Sequence, residues 1–193
     1  MTTKIYSVTD TQTKIQVDGT DVVTINKVGG ITKASVDQMP ALGTAITPNA
    51  VAVADFTGIP TWVKKITVML NGISTSGTSN PLLQLGSTTI QTTSYLCSGS
   101  SMVNASSPVV SNYTTGFGLS LGNSANTIYG QIVFILVSGN TWNCAGTFGL
   151  GNTFAVGQVN GGVTLSGTLD RLRLTTVNGT DTFDSGSVNI LYE

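Results

Sequence analysis

Histidine is absent from this chain, and from Ile66 to Leu169 there is no Asp, Glu, Lys or Arg either. That stretch is more than half of the 193 residues. General acid–base catalysis draws mainly on His, Asp, Glu and Lys. Hydrolytic metal sites draw on His, Cys and carboxylates. What remains is Ser, Thr, Asn, Gln, Tyr and backbone, groups that bind and hydrogen-bond but rarely catalyse unaided. Ser and Thr are abundant, yet no His can activate one and no Gly-x-Ser-x-Gly elbow occurs. The chain is therefore not expected to be an enzyme.

Charge of either sign is scarce. Charged residues make up 9% of the chain, against about 25% in an average soluble domain. Eight Lys and Arg spread over the whole length form no basic stripe, so nucleic-acid binding finds no support. Long apolar runs are missing too. Ile132-Val133-Phe134-Ile135-Leu136-Val137 has strand length, far short of the roughly 20 residues of a membrane helix. Met1-Thr2-Thr3-Lys4 opens without a signal peptide's apolar stretch, and membrane insertion is not expected. Cysteine is limited to Cys97 and Cys144. A structural zinc site needs four ligands, so these two read either as buried free thiols or as one disulfide. No cofactor or metal is expected.

The hydrophobic fraction, 40%, is enough for a core, and the low charge argues against disorder. Such a surface stays soluble by coating itself with hydroxyls and amides, or by covering apolar patches with partner chains. Ser, Thr, Asn and Gly supply the coat, and the apolar excess predicts an oligomer.

Charge divides the chain. Residues 1–48 hold Lys4, Asp10, Lys14, Asp18, Asp21, Lys27, Lys33 and Asp37. Ile15 and Val17, then Val22 and Ile25, flank Asp18-Gly19-Thr20-Asp21, a strong hairpin signal. Gly29-Gly30 is expected to end the second strand, and Met39 to Asn49 to form a linker. From 49 to 193 short alternating runs recur between turn signals. Ile66, Val68 and Leu70 alternate before Asn71-Gly72, read as a turn. Tyr129 to Val137 reads as a central strand, and Leu172 and Leu174 alternate with Arg171 and Arg173. No stretch has helical period. The pattern predicts an all-β fold, an antiparallel sandwich of jelly-roll kind behind a short β-structured anchor or shaft.

The loops Ser74 to Asn80, Ser98 to Ser107, Gly122 to Thr127 and Ser138 to Asn143 carry the adaptable polar set used in binding loops. Asn104, Asn123 and Asn140 lie in them, and Tyr113 and Trp142 in or near them. These five are the candidate receptor contacts, with Trp142 as a core residue the alternative. Asp55, Asp170, Asp181 and Asp184 are the aspartates of the larger part; a converging pair of carboxylates would be needed to cleave a glycoside. Gly146-Thr147-Phe148-Gly149-Leu150-Gly151 fits no phosphate-loop spacing.

Phe56-Thr57-Gly58-Ile59-Pro60-Thr61-Trp62 reads as a loop pinned by two aromatics, or as an aromatic sugar platform. Together with Lys64-Lys65-Ile66-Thr67-Val68-Met69, Gln84-Leu85-Gly86, Thr92-Thr93-Ser94-Tyr95 and the ending Phe183 to Glu193, it resembles the C-terminal β domain of tail-fibre and related virion proteins of tailed bacteriophages. The resemblance spans about Asp55 to Glu193. Ile15 to Ile25 is similar to short shaft segments upstream of such domains. It implies a homotrimeric virion component, assembled in the host cytoplasm. Ile15, Val17, Val22 and Ile25 would anchor it to other virion proteins, and the sandwich would meet a host surface glycan or protein. A capsid decoration protein, a lectin-like module and a capsule depolymerase are the alternatives.

Overall fold

The computed structural model describes residues 40–103 and 107–193 in full, and before them the backbone of β1 (Thr3–Thr9), β2 (Gln12–Val17), β3 (Thr20–Asn26) and β4 (Gly30–Ile31). Among the described residues there is no helix. The chain divides into two compact units after Pro40.

The first unit contains a four-stranded antiparallel meander in the order β1-β2-β3-β4. Its β2–β3 pair brackets Asp18 and Gly19, with Val17 opposite Thr20 and Ile15 opposite Val23. Ile15 and Val17 thus lie in β2, and Val22 and Ile25 in β3, Ile25 facing Thr13 and Ile31. β3 stops at Asn26, and Gly30 opens β4 rather than ending the previous strand.

The second unit is a sandwich of two antiparallel sheets. The large sheet runs β11 (Val109–Tyr113), β10 (Leu96–Val103), β15 (Ala155–Thr164), β14 (Thr141–Leu150), β13 (Ile128–Ser138), β7 (Lys65–Thr75), β17 (Phe183–Tyr192), β5 (Ala41–Leu42). The small sheet runs β12 (Phe117–Gly118), β8 (Pro81–Ser87), β16 (Arg171–Thr176), β6 (Ala54–Thr57), with β9 (Thr89–Ile90) beside β8. From Ala41 onwards the expected linker is part of this unit: β5 pairs with the end of β17, and Ile46 bridges Val188.

Four pairings are nested. β13 pairs with β14, β10 with β15, β8 with β16, and β7 with β17, each enclosing the one before. This is the pairing scheme of a jelly roll, a long hairpin folded over on itself. The sheet order departs from an even division, because three of the four pairs share the large sheet.

Strict alternation explains the core. Along β14, Trp142, Cys144, Phe148 and Leu150 are buried while Asn143, Ala145 and Thr147 are exposed. β13 and β15 follow the same period of two. Phe148 has Gly130 on one side and Gly157 on the other. A Cβ at Gly157 would come within 2.2 Å of the Phe148 ring, so the ring occupies space that only glycine leaves open. The two sheets meet through aromatics. Phe117 of the small sheet has its ring 5.2 Å from Phe134 of the large one and 5.0 Å, edge-on, from Tyr95.

Asn71-Gly72 is not the turn expected. β7 continues to Thr75, and Gly72, at φ +69°, sits at a register shift inside the strand. Opposite it, Gly186 at φ +89° occupies a register shift of β17. A glycine at positive φ marks a bulge as readily as a turn.

Cys97 and Cys144 both face Gly161, on the strand between theirs. Two strand spacings put their Cα atoms about 9.5 Å apart, beyond the roughly 7 Å that a disulfide spans. Both are buried free thiols.

Burial pushes both thiols up and pushes the Tyr95 phenol up to about 12 from its ordinary 10.0. The Tyr95 hydroxyl is committed: it accepts from the Leu85 N–H at 2.9 Å and donates to the Gln91 carbonyl at 3.0 Å. The unfolded chain loses these protons at lower pH than the folded one. Stability is therefore full below the ordinary thiol range and falls as pH rises through it and on to about 12. The Tyr95 share is about 3 kcal/mol. Denaturant midpoints measured from pH 8 to pH 11.5 should fall steadily, and Tyr95→Phe should flatten the upper part. A level profile in the parent protein would contradict this account.

A candidate binding face on the large sheet

The outward face of the large sheet from β11 to β13 lies wholly inside the uncharged stretch, so no Asp, Glu, Lys, Arg or His occurs on it. Register sets its side chains in rows. One row is Gln131, Thr147, Gln158, Ser100 and Val110. The next is Val133, Ala145, Asn160, Ser98 and Asn112. A third runs Tyr129, Gly149, Val156 and Met102.

The middle strand of this face, β14, carries small residues outward: Ala145, Thr147 and Gly149. Its neighbours carry larger ones. The result is a groove along β14 with Tyr129, Gln131 and Val133 on one bank and Val156, Gln158 and Asn160 on the other. A hollow of about 560 Å³ lies at the Tyr129 end. A second, of about 450 Å³, continues it and shares Gln131, Thr147 and Gln158. A third, of about 530 Å³, adjoins through Asn160 and reaches Leu96, Ser98 and Asn112.

The residues expected to contact a receptor lie elsewhere. Trp142 and Tyr113 are core: Trp142 is inward on β14, and the Tyr113 ring fills the space over Gly99 and Gly118. The Tyr113 hydroxyl accepts from Asn80 Nδ2 at 2.8 Å. Their ring sizes, read as sugar platforms, serve the interior instead. Asn123 is exposed, but its Oδ1 caps the Ala125 N–H at 2.8 Å, a turn-forming role. Asn140 is half-buried in the turn after β13. Asn123 precedes β13 and Asn140 follows it, so about 35 Å of strand separates them. Asn104 lies outside the described residues. The loop Ser98 to Ser107 is, as far as Val103, strand β10.

The four aspartates of the larger part are each engaged. Asp55 makes a two-pronged pair with Arg173, both contacts 2.7 Å. Asp170 pairs with Arg171 and accepts from the Thr88 N–H. The Arg171 guanidinium holds its carboxyl below the usual range. Asp181 accepts from Asn178 Nδ2 at 2.7 Å and the Ser79 N–H at 2.9 Å, which lower it likewise. Asp184 accepts from Ser74 Oγ. A glycosidase acid needs the opposite, a carboxyl kept protonated. Among the described residues no three His, Cys, Asp or Glu side chains gather at a metal-binding distance. Phe56 is buried in β6, and Trp62, half-buried, packs 6.0 Å from Tyr192.

Sequence reasoning missed the groove because it sought polar loops. The signal was present as alternation: Tyr129, Gln131, Val133 and then Val156, Gln158, Asn160 share one parity in their strands. The chain matches no known protein family, no curated protein and no solved structure.

Proposed function

We propose that this protein is a non-enzymatic structural component of a tailed-phage virion, a short homotrimeric fibre whose sandwich contacts the host surface. The N-terminal unit attaches it to other virion proteins. The observation that carries this reading is the outer face of the large sheet, which is uncharged yet covered with hydroxyl, amide and apolar side chains. The resemblance of Asp55 to Glu193 to tail-fibre β domains gives that face its setting. The engagement of Asp55, Asp170, Asp181 and Asp184 supports binding over catalysis.

An uncovered sheet edge supports the trimer. Among the described residues β11 is an edge of the large sheet, and it carries Val109 and Val110 exposed, a combination that pairs with another chain unless covered. Met102 and Val103 extend the apolar surface, and Phe154 stands at the tip between β14 and β15. Phe154 is 88% exposed at φ +49°. A large side chain held in a left-handed conformation and left in water is unfavourable for an isolated chain. A partner covering the ring removes the cost of its exposure and so offsets that of the backbone, and three linked binding faces multiply weak contacts.

Light scattering on the full chain tests this. The expected mass is three times that of one chain, and Val110→Lys should reduce it to a single chain while the circular dichroism stays unchanged. A monomer for the parent protein overturns the self-assembling fibre. Mass spectrometry of purified particles tests the virion role itself, and absence of the chain there sinks it.

A further inference from the structure

We infer that the groove along β14 is a binding site for an extended, uncharged, polyhydroxylated chain, a neutral glycan. The inference rests on the host-contact reading above and names what that contact recognises.

Chemistry narrows the occupant. An ion laid in the groove would lose water and meet no opposite charge, which disfavours acidic and basic ligands alike. A purely apolar occupant, such as a lipid tail or a greasy protein face, would bury Gln131, Gln158, Asn160 and Thr147 against nothing. Each amide or hydroxyl left buried without a partner weakens binding. The occupant must therefore offer hydrogen-bond donors and acceptors without charge, together with apolar patches for Tyr129, Val133 and Val156. A sugar ring has both, hydroxyls at its rim and C–H faces that lie on an aromatic. The groove is also open along its length rather than closed, with hollows joined at Gln158 and then Asn160. That shape suits several units of a chain and not one small molecule.

Gly149 gives a clean test. A Cβ built there meets nothing nearer than 4.0 Å, and its backbone is not left-handed. Gly149→Leu should thus fill the Tyr129 end without disturbing the sheet. Gln158→Ala removes the amide shared by the first two hollows. Ser166→Leu, at an exposed loop position that does not line the groove, is the control.

Immobilised dextran and mannan serve as neutral probes, hyaluronate and dextran sulphate as charged ones, with the full-length protein in solution. The expected result is saturable binding to at least one neutral polymer and none to the charged ones. Gly149→Leu should weaken it at least about tenfold and Gln158→Ala about three- to tenfold, at unchanged denaturant midpoints, with Ser166→Leu as the parent. Binding that Gly149→Leu leaves intact, binding only to the charged polymers, or no binding near millimolar repeat units overturns the inference. So does a fall in oligomer mass for Gly149→Leu, which would make the face a contact between copies. The virion role fails separately, if the chain is missing from particles while the groove still binds glycan.

Discussion

Gly186→Val is expected to remove a large share of the folding stability. Gly186 has φ +89°, and a Cβ there would lie 2.3 Å from the carbonyl carbon and oxygen of Gly72 and 2.5 Å from the Ile73 nitrogen. Those atoms are backbone of the partner strand, so no side-chain rotation relieves the overlap. A β-branched residue forced to positive φ adds about 1–3 kcal/mol of its own, and overpacking against fixed atoms a further 1–3 kcal/mol or more. The sum is a large share of the 5–15 kcal/mol that holds an ordinary domain together. Gly179→Ala separates the two causes. Gly179 also has positive φ, +68°, but its Cβ would meet nothing within 4 Å. It should cost only about 1–2 kcal/mol. Soluble yield and denaturant midpoints measure both. A Gly186→Val protein that melts like the parent would sink the account of the paired bulges.

Phe117→Ala should cost about 3–5 kcal/mol, the range for a fully buried aromatic cut to a methyl group. Phe117 is completely buried, although β12 is only two residues long. Its ring stands between Tyr95 and Phe134, so its loss opens a cavity where the small sheet rests on the large one. Phe117→Leu, which keeps more of the volume, should lose clearly less. Guanidinium titrations of the three proteins give the comparison. A loss below about 1 kcal/mol for the alanine variant would show that the sheets are held together elsewhere.

The all-β sandwich was legible because its strands announce themselves in two ways. Ile66, Val68 and Leu70, or Leu172 and Leu174, alternate with polar neighbours, and Gly139-Asn140 marks a turn between β13 and β14. β15 was not legible. Its inward positions include Gly157 and Gly161, small because Phe148 and the neighbouring strand fill the space, while Val156 points outward. Read alone, that strand looks like a glycine-rich loop. β10 was hidden likewise, since Cys97-Ser98-Gly99-Ser100-Ser101 has loop composition and strand geometry. The placing of Tyr113 among the binding loops, and the two readings of Trp142, have the same origin. Whether a large aromatic faces in or out depends on the parity of its strand, and parity depends on register, which neighbouring strands set. Asn71-Gly72 failed for a local reason: φ above zero is required both at a turn and at a bulge, and only the chain beyond Thr75 shows which is formed.

Nested pairing also fixes the order in which contacts are economical to close. Leu136 and Trp142 of the innermost pair are 6 residues apart, whereas Met69 and Asn189 of the outermost are 120 apart. Closed from an open chain, the outer pair would cost about 3 kcal/mol more in loop entropy than the inner. Closed after the inner three, it spans little more than the connections between adjacent strands. The Gly139 turn is thereby the natural starting point of folding, and the β7–β17 seam, with its two facing glycines, is the last to shut.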